Sequence, residues 1–183
     1  YDVGSGTGDE YRMSMKHISA TTSTSTLTKV QPKDIQPNAV DLRIGKVFKI
    51  NDKLFQLDEE EKRHRGSVEM KCDLAGYWTL DPGSYEVIME NEIEVGPGEA
   101  GWVITRSTLN RNGVYLTSGL YDTGYNGVMA GVMHVNINAF RVKKGTRIGQ
   151  YLNFQAENIG NYDGDYGKGG EHDRKYGEST TIT

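Results

Sequence analysis

Cysteine and long apolar runs are scarce in this sequence. Cys72 is the single cysteine, which excludes an internal disulfide and a zinc site built from several thiolates, and which fits a reducing compartment such as the cytoplasm. No apolar run approaches the roughly 20 residues that a membrane-spanning helix needs. The N-terminus also lacks the basic-then-apolar pattern of a signal peptide. We therefore expect no membrane partner.

Positive charge is scarce as well. The 21 Lys and Arg residues are outnumbered by 25 Asp and Glu residues, and the formal net charge is -4. A protein that neutralises a run of nucleic-acid phosphates needs the opposite balance, so we expect no nucleic-acid partner. The four histidines show no metal-ligand spacing, which argues against zinc chemistry. They are His17, His64, His134 and His172.

The chain length of 183 residues fits one domain with a core of its own. We place this domain at residues 29–156. Residues 1–28 are interpreted as an N-terminal extension, either a tag remnant or a disordered segment, and its Ser- and Thr-rich part from residue 16 predicts an extended lead-in or an edge strand. Residues 157–183 are interpreted as a flexible C-terminal arm.

Short runs of β-branched and aromatic residues are what the sequence has in quantity. Gly, Pro, Asn and Asp separate these runs and suit tight turns. The runs are VFKI, YEVIM, GWVIT, GVYLT, VMAGVMHVNI and RIGQYLNF. Strands at this spacing predict an all-β fold, a distorted β-barrel or jelly-roll. The STLNR sequence predicts one short helix between Arg106 and Asn112, with Ser107 as its cap.

Two segments depart from this strand pattern. Residues 57–71 carry many charges and hardly any apolar side chains, which indicates a solvated excursion between strands. Residues 160–170 consist mainly of Gly, Tyr and Asp. Such a segment buries too little apolar surface to order itself alone, so it is either mobile or ordered by a neighbour or a ligand.

Four stretches, in this order along the chain, carry a family resemblance. They are IQPNAVDLRIGKVF (35–48), WTLDPGSYEVIMENEIEVGPGEAGWVITRSTLNRNGV (78–114), GLYDTGYNG (119–127) and KKGTRIGQYLNF (143–154). Their order resembles the dCTP deaminase/dUTPase superfamily over roughly residues 29–154. The resemblance implies a dUTPase-like β-clip subunit, assembly as a homotrimer with sites at the subunit boundaries, and a deoxynucleoside triphosphate as ligand.

The resemblance implies a phosphate site around Arg106, Ser107 and Thr108. A guanidinium, a hydroxyl and the free N–H groups of a helix start together suit a triphosphate. Arg111 matches a second arginine of the deaminase branch, and Gln150 on the closing strand suits a phosphate oxygen. The alternatives are a helix cap at Ser107, an ion pair with a surface carboxylate at Arg106, a solvated helix-end cation at Arg111 and a satisfied buried amide at Gln150.

The hairpin at residues 119–127 is implied to hold the sugar. Asp122 would accept a hydrogen bond from the 3′-hydroxyl and orient the attacking water as a base. Tyr125 would lie under the deoxyribose and exclude a 2′-hydroxyl. Asp41 would reach Mg²⁺ through water, since magnesium on triphosphates keeps several waters. The alternatives are an ordinary turn aspartate, a strand tyrosine packed on a neighbour, and an Asp41 that bonds a backbone turn.

The C-terminal arm resembles the segment with which deaminases cover the triphosphate, through Lys175 and Tyr176. It also weakly resembles the terminal arm of dUTPases. In either branch we expect the arm to order over the site when nucleotide binds, with Tyr176 near the base and a cation on the γ-phosphate.

The reaction is predicted from the absence of a glutamate on the strand that follows the hairpin. Deaminases of this family place a proton-shuttling glutamate there, and the register puts Val132, or Met133 with a one-residue slip, at that position. We therefore expect Mg²⁺-dependent hydrolysis of dUTP to dUMP and pyrophosphate. Leu116 replaces the asparagine with which many dUTPases read uracil.

Two alternatives stay open. The first is a dCTP deaminase, either with that activity alone or with hydrolysis as well. The second is a non-catalytic structural or regulatory trimer on the same fold, such as a viral decoration protein in the host cytoplasm.

Overall fold

The computed structural model describes residues 21–168 and 170–177, and predictions for the remaining residues lie outside this part of the chain. Strands dominate it, which confirms the predicted all-β class. The strands are β1 Thr26–Leu27, β2 Val40–Ile50, β3 Gln56–Leu57, β4 Lys62–Arg63, β5 Ser67–Met70, β6 Tyr77–Leu80, β7 Gly83–Glu94, β8 Glu99–Thr105, β9 Val114–Thr117, β10 Asn126–Val135, β11 Phe140–Lys143 and β12 Arg147–Gln155. The helical segments are a 3-10 turn at Pro32–Asp34, α1 at Ser107–Arg111 and α2 at Arg174–Gly177.

The main sheet nearly closes on itself. Its strand order is β8-β12-β2-β7-β10-β9, with β1 added to β7 and β5 added to β2. The two end strands meet, because Thr105 Oγ1 accepts the Leu116 N–H at 2.8 Å and Ser118 Oγ accepts the Val103 N–H at 2.9 Å. This closure confirms the predicted barrel-like architecture.

Gly45 lets β2 serve two parts of the barrel. Residues 40–43 of β2 pair with β12, whereas its pairing with β7 runs from Ile44 onward and its pairing with β5 from Val47 onward. The register with β7 shifts between Ile44 and Lys46. A Cβ at Gly45 would lie 3.0 Å from the Glu90 backbone nitrogen, so the close approach of β2 and β7 needs a glycine there.

The core fills the barrel interior. Alternate residues of β2 and β7, such as Val47 and Val87, point inward and are fully buried. Met129, Met133 and Ile148 complete this interior from β10 and β12. Each side chain of this size stabilises the fold by about 1.5–3 kcal/mol relative to exposure.

A second, smaller apolar cluster lies on the outer face of the same sheet. Phe48 and Ile88 point away from the barrel interior, and Tyr176 of α2 covers them. Val128 and Ala130 of β10 pack against this cluster. The part of the C-terminal arm around Tyr176 therefore lies against the outside of β2, β7 and β10.

The six predicted strand runs are confirmed, and so is the short helix. The predicted cap is wrong, because Arg106 occupies the N-cap of α1 without a side-chain cap bond and Ser107 is the first helical residue. The prediction of a solvated excursion at residues 57–71 is wrong for β5, because this strand pairs with β2. The pairing of β6 with β11 was not predicted.

The described part of the chain contains no helix that is both long and apolar enough to cross a lipid bilayer.

Candidate functional site

A buried carboxylate, Asp41 on β2, gathers polar side chains from neighbouring elements. Arg147 Nη1 donates to Oδ2 at 3.0 Å, and Gln150 Nε2 donates to Oδ1 at 3.0 Å. Gln36 Nε2 donates to Oδ2 at 3.2 Å. Arg106 Nε lies 3.6 Å from Oδ2. Because Gln150 is the register partner of Asp41, the pairing of β2 with β12 creates this cluster.

These contacts bear on the prediction that Asp41 binds Mg²⁺ through water. A carboxylate that holds Mg²⁺ through water needs room for that water. Asp41 is 0% exposed, and both of its oxygens already accept hydrogen bonds. Within residues 21–168 and 170–177, no three His, Cys, Asp or Glu side chains are grouped to hold a metal ion. The residues present at Asp41 therefore do not fit Mg²⁺.

The predicted phosphate residues Ser107 and Thr108 lie in the first turn of α1 and are exposed. Arg106 precedes them, and its guanidinium is paired with the buried Asp41 rather than with a surface carboxylate. Arg111 lies exposed in the last turn of the helix. The structure thus joins Arg106, Gln150 and Asp41 in one cluster, with two free hydroxyls on the adjoining turn.

Asp122 and Tyr125 lie in the turn that precedes β10. The Tyr125 N–H donates to the Asp122 carbonyl at 3.1 Å, and Gly124 has a φ of 81°, in the left-handed region that favours glycine. Asp122 is exposed and lines an open cavity of about 530 Å³ together with Thr123 and Phe154. Its carboxylate is therefore free to meet a ligand.

Tyr125 belongs to a row of tyrosines that supports this turn. Its ring packs edge-on against Tyr121 at 5.3 Å and against Tyr162 at 5.1 Å between centroids. Its hydroxyl donates to the Val128 carbonyl at 2.6 Å. Burial raises the pKa of Tyr121 and Tyr125 well above the ordinary range, so both remain neutral phenols. Within the fold, their rings pack against each other and shape the turn.

A larger cavity, of about 840 Å³, lies between this turn, β10 and the C-terminal arm. Leu120, Tyr125 and Tyr176 line it. Of the two positions where a deaminase glutamate was sought, Val132 lines this cavity, whereas Met133 is fully buried in the core. The position expected to carry the deaminase glutamate therefore faces the cavity, and Val132 occupies it.

Glu86 on β7 supplies a carboxylate to this cavity instead. It is the register partner of Val132, so both side chains share the outer face of the sheet. Glu86 accepts hydrogen bonds from Ser67 Oγ at 2.9 Å and Tyr176 Oη at 2.8 Å, and Lys175 Nζ lies 3.0 Å from Oε1. Burial alone would raise the pKa of Glu86, but these hydrogen bonds hold it below its ordinary value.

The predicted residues therefore form three groups in one chain. Lys175 and Tyr176 lie at Glu86, and Tyr176 shares the larger cavity with Tyr125. Asp122 lines the adjoining cavity, and Leu120 belongs to the walls of both. Asp41, Arg106 and Gln150 line neither of these two cavities.

Two residues of these groups were missed at the sequence level. Arg147 lies within the TRIGQ stretch that marked Gln150, so its position beside a family motif was an available signal. Glu86 carried no such signal, because its place opposite Val132 depends on the register between β7 and β10.

Comparison with known proteins identifies the family of this chain. Residues 12–156 match the family model for dCTP deaminase-like domains. The chain is similar to a probable deoxyuridine 5'-triphosphate nucleotidohydrolase of Aeropyrum pernix, with 34% identity over 72% of this chain and 84% of the relative. It is also similar to the probable deoxyuridine 5'-triphosphate nucleotidohydrolase of Methanopyrus kandleri, with 32% identity over 73% of this chain and 87% of the relative.

Among solved structures, the fold is similar to that of 2'-deoxycytidine 5'-triphosphate deaminase from Agrobacterium tumefaciens. The TM-score is 0.56 at 16% identity, over 73% of this chain and 44% of the deaminase chain. This likeness shows the fold, and the matched part is less than half of the deaminase. With the motif order, the barrel topology and the family match over 12–156 in agreement, the chain belongs to the dCTP deaminase-like family.

Proposed function

We propose that this protein hydrolyses dUTP to dUMP and pyrophosphate. The observation that carries the proposal is Val132, an aliphatic side chain at the cavity position where the deaminase branch is expected to have its glutamate. Relatives with 34% and 32% identity over most of their length are named as probable deoxyuridine 5'-triphosphate nucleotidohydrolases, which supports the same activity here.

The reaction needs a base, a sugar contact and charge stabilisation. Asp122 takes a proton from water as that water attacks the α-phosphorus, and the bond from this phosphorus to the bridging oxygen of the β-phosphate breaks. Pyrophosphate leaves with the bond's electron pair, so one water is consumed and one proton is released. Tyr125 holds the deoxyribose, while Arg106, Ser107, Thr108 and Gln150 stabilise charge on the phosphates. Lys175 and Tyr176 close the arm over the substrate.

Assembly as a homotrimer is part of this proposal. Within one chain, Arg106 and Gln150 line neither of the cavities beside Asp122 and Tyr125. A site shared between copies joins them, with Arg106 of one copy facing Asp122 of the next. Magnesium enters this proposal only as an ion carried by the triphosphate, because the contacts of Asp41 leave no place for it there.

Mixed trimers test the shared site. Arg106→Ala and Asp122→Asn chains are each expected to be inactive alone. After the two chains are refolded together, about a quarter of the sites contain both native residues, if assembly is random. Recovery of about a quarter of the wild-type rate is expected. No recovery in mixed trimers of verified composition would show that one chain supplies both residues.

The activity itself is tested by incubating the protein with dUTP or dCTP, with and without Mg²⁺. The expected products are dUMP and pyrophosphate from dUTP, with Mg²⁺ required. Asp122→Asn should lower the rate by a factor of roughly 10² to 10⁴. Asp52→Asn is the matched control, since Asp52 is an exposed aspartate paired with Arg65 and lines neither cavity.

One observation favours a second candidate, dCTP deamination. Glu86 places a carboxylate in the cavity directly across the strand from Val132. Lys175 and Tyr176 already contact the Glu86 carboxylate, which leaves it less available to a cytosine ring. We therefore rank deamination second. Release of ammonia and a uracil nucleotide from dCTP would reverse the ranking. No turnover of either nucleotide would favour the non-catalytic trimer.

A further inference from the structure

The described part of the C-terminal arm, residues 157–168 and 170–177, is fixed near Tyr176 by apolar contacts. Tyr176 is 5% exposed and packs edge-on against Phe48, with ring centroids 5.7 Å apart. Ile88 completes this cluster. Lys46 Nζ donates to the Tyr176 carbonyl at 2.6 Å. The arm therefore has a built seat on the outer face of β2 and β7.

Glu86 lies at the centre of this seat. It is the register partner of both Phe48 on β2 and Val132 on β10, so the three side chains form a row across the sheet. Its side chain is 18% exposed. A carboxylate that is largely shielded from water needs hydrogen-bond donors. Two of its three donors, Lys175 and Tyr176, come from the arm.

The charged hairpin of β3 and β4 contacts the same arm further along. Lys62 Nζ lies 3.0 Å from Asp165 Oδ2. The rings of His64 and His172 are 4.7 Å apart between centroids. Ser67, which follows the hairpin, donates to Glu86. The charged segment thus has contacts that a purely solvated excursion would not have.

We propose that Lys62, His64, Ser67 and Glu86 form a docking platform for the arm, and that Glu86 is a positioning residue that acts through Lys175 and Tyr176. The effect on turnover rests on the proposed function. The docking itself does not, because every contact that carries it lies within this chain.

The platform sets where Lys175 and Tyr176 sit relative to the cavity. Holding them near their working positions lowers the entropy lost when the arm closes on a substrate. The contacts of the hairpin are largely exposed and individually weak, so the arm still opens.

Hydrogen–deuterium exchange on the full chain tests the docking directly. In the wild type, amides of residues 160–177 should be protected both with and without dUTP. Glu86→Ala should raise their exchange rates by roughly tenfold or more, because hydrogen bonds to a charged group are lost. Glu86→Gln, which keeps an acceptor for Tyr176 but loses the charge, should lie between the two. Wild-type exchange at the rate of an unstructured peptide would overturn the proposal.

Glu69→Gln is the matched control. Glu69 lies on β5 with a side chain 19% exposed, close to the exposure of Glu86, and its ion pair is with Lys71 rather than with the arm. Arm protection should be unchanged in this variant. Tyr176→Phe serves as a second test should Glu86→Ala fail to fold, since it removes only one hydroxyl donor. Wild-type protection in the Phe variant and in any folded Glu86 variant would refute the platform.

The activity measurement separates this proposal from the proposed function. Glu86→Gln should lower kcat/KM for dUTP by several-fold to tenfold with an unchanged thermal midpoint, while Glu69→Gln leaves both unchanged. If wild-type protein turns over no dUTP while Glu86 variants still release the arm, the proposed function fails and the platform stands. If dUTP is turned over and Glu86 variants change neither arm protection nor kcat/KM, the platform fails alone.

Discussion

Two glutamates anchor segments near the two limits of the described chain, and they do so in different ways. Glu99 on β8 is 2% exposed and holds the N-terminal segment, whereas Glu86 on β7 has a side chain 18% exposed and holds the C-terminal arm. The donors to Glu99 are Ser23 Oγ at 2.6 Å, Ser25 Oγ at 2.6 Å, Thr24 N–H at 2.7 Å, Asn153 Nδ2 at 2.7 Å and Ser25 N–H at 3.1 Å. All of them are neutral, whereas Glu86 relies partly on the charged Lys175.

The two glutamates differ in exposure, and we expect the more buried one to hold its segment more tightly. Burial alone would raise the pKa of Glu99, but hydrogen bonds from Ser23, Ser25 and Asn153 lower it to about 2. If residues 23–25 leave, the buried Glu99 carboxylate keeps Asn153 as a donor and loses the others. Glu86 stays near solvent, so water can replace the arm's donors when the arm opens. We therefore expect the N-terminal anchor to carry global stability and the C-terminal anchor to carry only local order.

The largest expected effect comes from Glu99→Ala. It removes the acceptor of the donors in residues 23–25 and one of the two acceptors of the buried Asn153 amide, so the free energy of unfolding should fall by about 3–5 kcal/mol. Denaturant unfolding measures this. Glu94→Ala on the exposed end of β7 is the control and should change stability little. If Glu99→Ala lowers the free energy of unfolding by less than about 1 kcal/mol, Glu99 does not carry global stability and the two anchors do not differ in this respect.

Acid should weaken the N-terminal anchor over a defined range. The ordinary pKa of 4.5 falls to about 2 in the folded protein, so the contribution of Glu99 is complete above about pH 4.5 and is lost as the pH falls towards 2. The full contribution is about 3 kcal/mol. Unfolding free energies measured from pH 6 to pH 2 should therefore show a steeper decline in wild type than in Glu99→Gln. Parallel curves would contradict this assignment.

Local patterns in the sequence were enough for most of the fold. On β9, for example, Val114 and Leu116 are buried and Tyr115 and Thr117 are exposed, as alternation predicts. Gly113, with a φ of 77°, ends α1 where a turn residue was expected. These features depend only on residues within a few positions of one another.

The two anchors could not be predicted in this way. Glu86 lies in a strand with three other glutamates, and Glu99 is the first residue of β8, where a glutamate usually faces solvent. Their burial depends on donors far along the chain, such as Tyr176 for Glu86 and Ser23 for Glu99. In the candidate site, likewise, motif order identified Asp41 and Gln150 separately, but only the register of β2 with β12 brings them within hydrogen-bond distance.

The smallest expected effect concerns the exposed pair Lys62 and Asp165, whose side chains are 55% and 68% exposed. Lys62→Asp should favour opening of the arm by less than about 1 kcal/mol, because exposed ion pairs are screened by water and salt. The charge-swapped double variant Lys62→Asp with Asp165→Lys should restore arm protection at low salt. Because screening shortens the reach of both charges, the difference between single and double variants should shrink at about 1 M salt. A salt-independent loss that the swap does not restore would mean that the hairpin holds the arm by packing alone, and that both ends of the chain are anchored by buried contacts.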